Sequence, residues 1–299
     1  KIDLSGLKKG KYNDFTVRVV NEYGVLAQMS VPLTIMEYVD LEPLSEYSRV
    51  GINWHIDYNT SHFTQRGAVV EGEAHENYNK LLSFMGITKT RSIHRWAWAE
   101  VEKGVRNNGK HNYEHSLMRK YDQVFDPYIL GHGNALYFPE DPRTYKNVMD
   151  EVEWCVDIMD YLDKQGIKRD SLELWNEPNI TSFWKTTRRI TYYQLANRLG
   201  FEMNNRYPDI PLYGCTLAMG SDAYDFAYDF FARGGLMYVG GLSSHPYSHP
   251  TSPDTESVAR NHTARTNDML DARDRIGGWV DLIQSEIGYP TASTAASVD

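Results

Sequence analysis

The sequence predicts an α/β fold: a (β/α)8 TIM barrel that stops before its eighth strand, preceded by the last strands of a β-sandwich. Three observations carry this prediction. Short apolar runs alternate with helix-patterned segments from residue 49 onward. Polar and titratable residues gather at the C-terminal ends of those runs. The first run leads into Gly51-Ile52-Asn53-Trp54-His55 rather than a glycine-rich phosphate turn, which disfavours an open dinucleotide-binding sheet.

Residues 1–42 differ from the rest. Phe15, Val17 and Val19 alternate with Thr16 and Arg18, Asn21-Glu22-Tyr23-Gly24 supplies a turn, and 25–35 is strand-like again. A lone hairpin is marginal in water, so this segment predicts the C-terminal strands of an incomplete β-sandwich accessory domain. Leu41-Glu42-Pro43-Leu44-Ser45 joins it to the barrel domain, 46–299.

Within the barrel, strands are predicted at 50–54, 88–93, 128–131, 172–175, 212–217, 238–243 and 280–285. Helix 76–84 closes before Gly86. Helix 145–164 carries Val148, Val152, Cys155, Met159 and Leu162 at helical spacing and stops at Gly166. Helix 191–205 presents Leu195, Leu199 and Met203, and Ser221 reads as the N-cap of 222–233. Strands alternating with helices imply a parallel sheet with helical crossovers. The residues after 286 contain no eighth-strand pattern, so the sequence reads as truncated at both ends.

Composition narrows the function. The 299 residues are 41% hydrophobic and 24% charged, enough for one large domain plus an extra segment. A net charge of -9 argues against a nucleic-acid partner, which needs a basic surface. No apolar run approaches the roughly 20 residues of a membrane span. The chain begins at Lys1 without a signal peptide, and Cys155 and Cys215 read as small buried hydrophobes.

The strand ends carry the chemistry. Read in order they give Asn53 and His55, Arg91 and His94, His132 and Asn134, Asn176 and Glu177, His245 and Tyr247, and Glu286. Leu172-Glu173-Leu174-Trp175-Asn176-Glu177-Pro178-Asn179 is a strand that ends in an amide and a carboxylate, and Pro178 keeps Glu177 out of right-handed helical torsions. Two strand-end glutamates far apart in sequence suit a two-carboxylate glycoside hydrolase.

Trp175-Asn176-Glu177-Pro178-Asn179 and Ser285-Glu286-Ile287-Gly288-Tyr289 resemble the fourth- and seventh-strand motifs of clan A glycoside hydrolases. With Phe183-Trp184 and Gly131-His132-Gly133-Asn134, the chain is most similar to family 39 and its bacterial relatives; Ser285-Glu286-Ile287-Gly288 also suits family 5-like enzymes. The resemblance implies a secreted or periplasmic, retaining glycoside hydrolase that cleaves β-glycosidic bonds of a polysaccharide or oligosaccharide without metal or cofactor. Glu177 would be the acid/base and Glu286 the nucleophile, with carboxyl groups about 5–5.5 Å apart. Asn176, Arg91, His245, Tyr247, His132, Asn134, Asn53, His55 and Trp184 would line the substrate site. The missing eighth strand departs from the clan, where it often supplies an aromatic platform for sugar. A transglycosidase with the same residues and a non-catalytic glycan-binding barrel are the alternatives.

Other features read as structural. Trp96 could stack on sugar, whereas Trp98 is expected in the core. His111 and His115, at i, i+4, are expected on a solvated helix face. The N-x-S/T matches at Asn59, Asn179 and Asn261 read as chance.

Overall fold

The computed structural model describes residues 12–22, 24–34, 50–53, 71–131, 133–137, 147–185, 189–218, 222–247, 262–275 and 280–287. The chain divides into two compact units, Lys1–Pro43 and Leu44–Asp299. In the first, β1 (Tyr12–Asn21) pairs antiparallel with β2 (Gly24–Thr34), Asn21 opposite Gly24, with a register shift between Val19 and Val20. The described residues of this unit form that hairpin; the expected sandwich lies outside what they show.

In the second unit the described residues form one seven-stranded parallel sheet: β3 (Gly51–Asn53), β4 (Lys89–Ile93), β5 (Val124–Leu130), β6 (Leu172–Leu174), β7 (Leu212–Ala218), β8 (Gly241–His245) and β9 (Asp281–Gln284). Neighbours in the sheet are neighbours in sequence throughout, so the order never reverses as it does in a doubly wound sheet. Successive right-handed crossovers then place every helix on one side, and the sheet curls into an open barrel. Among the described residues no strand joins β3 to β9.

The helices are α1 (Glu71–Phe84), α2 (Trp96–Ala99), α3 (Asn112–Lys120), α4 (Val148–Lys164), α5 (Arg189–Arg206), α6 (Ala223–Ala232) and α7 (His262–Arg275). The Asn147 side chain caps α4 by accepting from the Met149 N–H, and Val152, Cys155, Met159 and Leu162 bury the predicted stripe. In α5, Leu195, Leu199 and Met203 do the same. Between α5 and α6, Tyr193 packs edge to face on Phe226 and Phe230, and Tyr192 does so on Phe226. Both cysteines are buried and free.

Several expectations need correction. β5 begins at Val124, not Tyr128, and runs through Pro127, near which its register with β4 shifts because a proline has no N–H for the ladder. β8 begins at Gly241 because Gly235–Met237 forms a 3-10 turn, which puts His245 inside the strand. Helix α7 was not foreseen: its sequence is rich in charge, and among its described side chains Met269 and Ala272 are the buried ones. His111 and His115 are buried, not solvated; their rings sit 4.0 and 5.9 Å from that of His94, beneath Trp154 and Phe125. Trp98 is part-exposed rather than core, with the Arg95 guanidinium over its ring. Ser221, Asn59 and Asn261 lie outside the described residues.

Candidate active site

The site assembles at the C-terminal ends of β4, β6, β8 and β9. β6 is only three residues long, and Leu172 and Leu174 pack outward into the core while Glu173 faces the barrel interior with Arg91. The chain then turns sharply. Trp175 has φ +64° and Glu177 φ +48°, so two non-glycine residues in the left-handed region bracket Asn176. Such conformations cost on the order of 1–3 kcal/mol each and persist where the surroundings enforce them. Glu177 avoids right-handed helical torsions, as Pro178 requires, but does so in the left-handed region rather than extended.

The surroundings here are specific. Trp175 is buried edge-on against Trp184 and donates its indole N–H to the Phe183 carbonyl at 3.1 Å. Gly131, at φ +95°, lets the end of β5 pass close to that indole; a Cβ there would meet the Trp175 ring at 3.1 Å and Glu151 Oε1 at 2.9 Å. Asn179 locks the following turn onto β7, donating to the Ala218 carbonyl at 2.8 Å and accepting from its N–H at 3.1 Å. That burial makes Asn179 no glycosylation acceptor.

Arg91 is the hub. Its Nη1 donates to Glu286 Oε2 at 2.7 Å, its Nη2 to Asn176 Oδ1 at 3.0 Å, and its Nε to Glu173 Oε2 at 2.7 Å. The Tyr247 hydroxyl donates to Glu286 Oε1 at 2.6 Å. Glu286 is thus held on both oxygens, with charge assistance on one. Burial, then the bond to Glu286, raises the Tyr247 pKa above the usual phenol value, so Tyr247 remains a donor. His245 Nδ1 lies 2.9 Å from Glu177 Oε1 and 3.8 Å from Glu286 Oε2. Two such legs cannot span more than about 6.7 Å, which bounds the separation of those two carboxylate oxygens.

Six sequence-predicted residues are therefore brought together: Glu177, Glu286, Asn176, Arg91, His245 and Tyr247. Asn53 lines a cavity of about 290 Å³ with Gly51, Arg91, Asp126, Gln284 and Ser285, between the two edge strands. Three residues are placed elsewhere. Asn134 is buried, donating to the Glu100 carbonyl at 2.8 Å and accepting from the Leu136 N–H at 3.0 Å, so it shapes the loop after β5. Trp184 is fully buried against Trp175 and Tyr192 and has no face to offer a sugar; Trp96, stacked on Trp154, is buried too. His55 and His132 lie outside the described residues. A larger cavity of about 620 Å³, between α4, α5 and Tyr238, holds none of these residues.

Sequence reading missed Glu173, Ser285 and Ser243, which connect Arg91 to His245. A carboxylate between two leucines in a buried strand was the available signal for Glu173. Among the described residues no group of three or more His, Cys, Asp or Glu is arranged to hold a metal ion, and no helix is long and apolar enough to cross a membrane.

A curled parallel sheet whose strands run in sequence order is also the fold of solved glycoside hydrolases. A family 39 glycoside hydrolase from the gut symbiont Bacteroides cellulosilyticus WH2 matches 94% of this chain with TM-score 0.68 at 17% identity, and 56% of that protein is covered. A family 39 β-xylosidase from Caulobacter crescentus matches 83% with TM-score 0.55 at 12% identity, and 55% of it is covered. In sequence, a β-xylosidase from Geobacillus stearothermophilus is 23% identical over 135 residues, 42% of this chain and 26% of the relative. No protein-family model matches. The chain shares the fold of family 39 glycoside hydrolases and spans about half the length of these solved structures.

Proposed function

We propose that this chain is the catalytic barrel of a retaining glycosidase that cleaves β-glycosidic bonds of an oligosaccharide or polysaccharide. The observation that carries this reading is the convergence of Glu177 and Glu286 on one imidazole, with Arg91 and Tyr247 gripping both oxygens of Glu286. Glu286 is the nucleophile: Arg91 favours its ionised form, and the two contacts aim it. Glu177 is the acid/base, with Oε1 on His245, and it protonates the leaving oxygen. Asn176 commits Oδ1 to Arg91, so its amide hydrogens are left to donate to the sugar 2-hydroxyl. A separation under about 6.7 Å favours the double displacement over inversion, which needs room for a water between the carboxyls.

The β-xylosidases among its relatives make aryl β-xylosides the first substrates to test. Hydrolysis followed by proton NMR is expected to release the β-anomer first, and Glu286→Gly to abolish turnover. First release of the α-anomer, or undiminished hydrolysis by Glu286→Gly, sinks the assignment.

A further inference from the structure

The atoms around the buried His245 ring determine where its proton sits. Glu173 is enclosed in β6 and faces Arg91, whose Nε and Nη2 approach Oε2 at 2.7 and 2.6 Å. Its other oxygen, Oε1, accepts from Ser285 Oγ at 2.5 Å. A carboxylate has no hydrogen to give, so Ser285 directs its single hydroxyl hydrogen to Glu173. Ser285 Oγ can then only accept, from Ser243 Oγ at 2.6 Å and from His245 Nε2 at 3.1 Å. Nε2 therefore carries a hydrogen. Arg91 Nη2 also approaches Nε2, at 3.4 Å, but its hydrogens are directed to Asn176 and Glu173.

We propose that Glu173 and Ser285 are positioning residues that lock the hydrogen on His245 Nε2, so that Nδ1 and the Glu177 carboxyl hold one proton between them. This rests on the reading of Glu177 as the acid/base. The charged and titratable groups facing the imidazole are Glu177 and Glu286 on the Nδ1 side, and Arg91 and, through Ser285, Glu173 on the other. In the first step the shared proton leaves through Glu177 to the glycosidic oxygen as the bond from that oxygen to C1 breaks and Glu286 bonds C1. The pair then holds no proton, and a carboxylate lone pair faces a bare Nδ1 lone pair across 2.9 Å. That repulsion is relieved when a proton returns between them. In the second step the pair takes a proton from water, whose oxygen bonds C1 as the C1–Glu286 bond breaks.

The test reverses the chain of donors. In Glu173→Gln, Arg91 retains the amide oxygen, the amide N–H faces Ser285, and Ser285 is turned to donate to Nε2. The hydrogen then moves to Nδ1, where it stabilises ionised Glu177. Histidine-selective ¹⁵N spectra of the full chain, with His245 identified by its loss in His245→Asn, are expected to show an Nε2–H tautomer in the native protein and Nδ1–H in Glu173→Gln. In kinetics, the ratio of kcat/KM for an activated aryl glycoside to that for a poor leaving group should rise about tenfold or more in Glu173→Gln and Ser285→Ala, and return toward native in Ser285→Thr. Loss of Glu286 function would lower both substrates together and leave the ratio unchanged. A native Nδ1–H tautomer overturns the proposal, and so does an unchanged ratio in both variants. If the native chain turns over no glycoside, the acid/base reading falls, while the native tautomer still decides the lock.

Discussion

Lys89 and Arg91 stand two residues apart on the same face of β4, and each bridges two carboxylates inside the barrel. Lys89 binds Asp126 at 3.2 Å and Asp170 at 2.7 Å; Arg91 binds Glu173 and Glu286. Burial alone would lower the Lys89 pKa, but its two aspartates outweigh that and raise it. As buried charge the two clusters look alike. They differ in what surrounds them. Asp126 is closed off by Ser171, and neither Lys89 nor its partners lie in the left-handed region. Around Arg91 the backbone is left-handed at Trp175 and Glu177, and the partly exposed Glu286 receives a second donor while a second carboxylate approaches through His245. Buried charge therefore does not mark a site by itself; strained backbone and two unlike carboxylates converging on one polar network do.

The contrast breaks most sharply on Glu286. Glu286→Ala is expected to lower kcat on the order of 10⁴-fold, with the melting temperature little changed because Arg91 keeps Glu173. The converse holds at the other end of the interior. Lys89→Met leaves Asp126 buried without its cation and should cost about 2–3 kcal/mol of stability, less than a fully buried pair because Asp170 is 49% exposed. For a domain of this size that is a fall of roughly 5–10 °C in Tm, with kcat of the folded fraction retained. A Lys89 variant that lost activity at native stability would erase the distinction between the two clusters.

How legible this was in sequence follows the same division. Strand-end positions showed because they interrupt apolar runs: Asn176, Glu177 and Glu286 each close a stretch too short and too apolar for a helix surface. Arg91 and His245 followed from the same logic. Inward-facing residues within strands did not show, since Glu173 and Ser285 act through partners 40 to 112 residues away, and pairing across a barrel leaves no local pattern. Loop residues misled for the opposite reason. Asn134 and Trp184 have the chemistry of sugar contacts, but local backbone carbonyls and the Trp175 ring claim them.

Tyr247 tests the finer half of the contrast, whether Glu286 needs its second donor. Tyr247→Phe removes one hydrogen bond to a carboxylate, worth about 1.5 kcal/mol or somewhat more, and should lower kcat/KM roughly tenfold with the fold intact. Measured at constant pH on an aryl glycoside, a change under twofold would show that Glu286 does not need the Tyr247 hydroxyl.

The last effect appears only on acidification and comes from a third buried polar cluster, three histidines packed together with the Glu114 carboxylate 3.8 Å from His111. Burial, then the neighbouring His111, drives His94 well below the ordinary histidine pKa, and burial with His111 and Arg119 drives His115 down to about 3. Both His115 nitrogens are buried without a hydrogen-bond partner. The neutral ring is the folded form, whereas the unfolded chain binds a proton below its usual value near 6.5. Stability from His115 is therefore complete above that pH and is lost as pH falls toward 3, at up to about 1.4 kcal/mol per pH unit. His115→Gln, similar in size and unable to titrate, should flatten the decline of Tm between pH 6 and 4 relative to the native protein. An unchanged slope would mean that protonated His115 is accommodated in the fold. Burial would then have no part in keeping the rings of this cluster neutral.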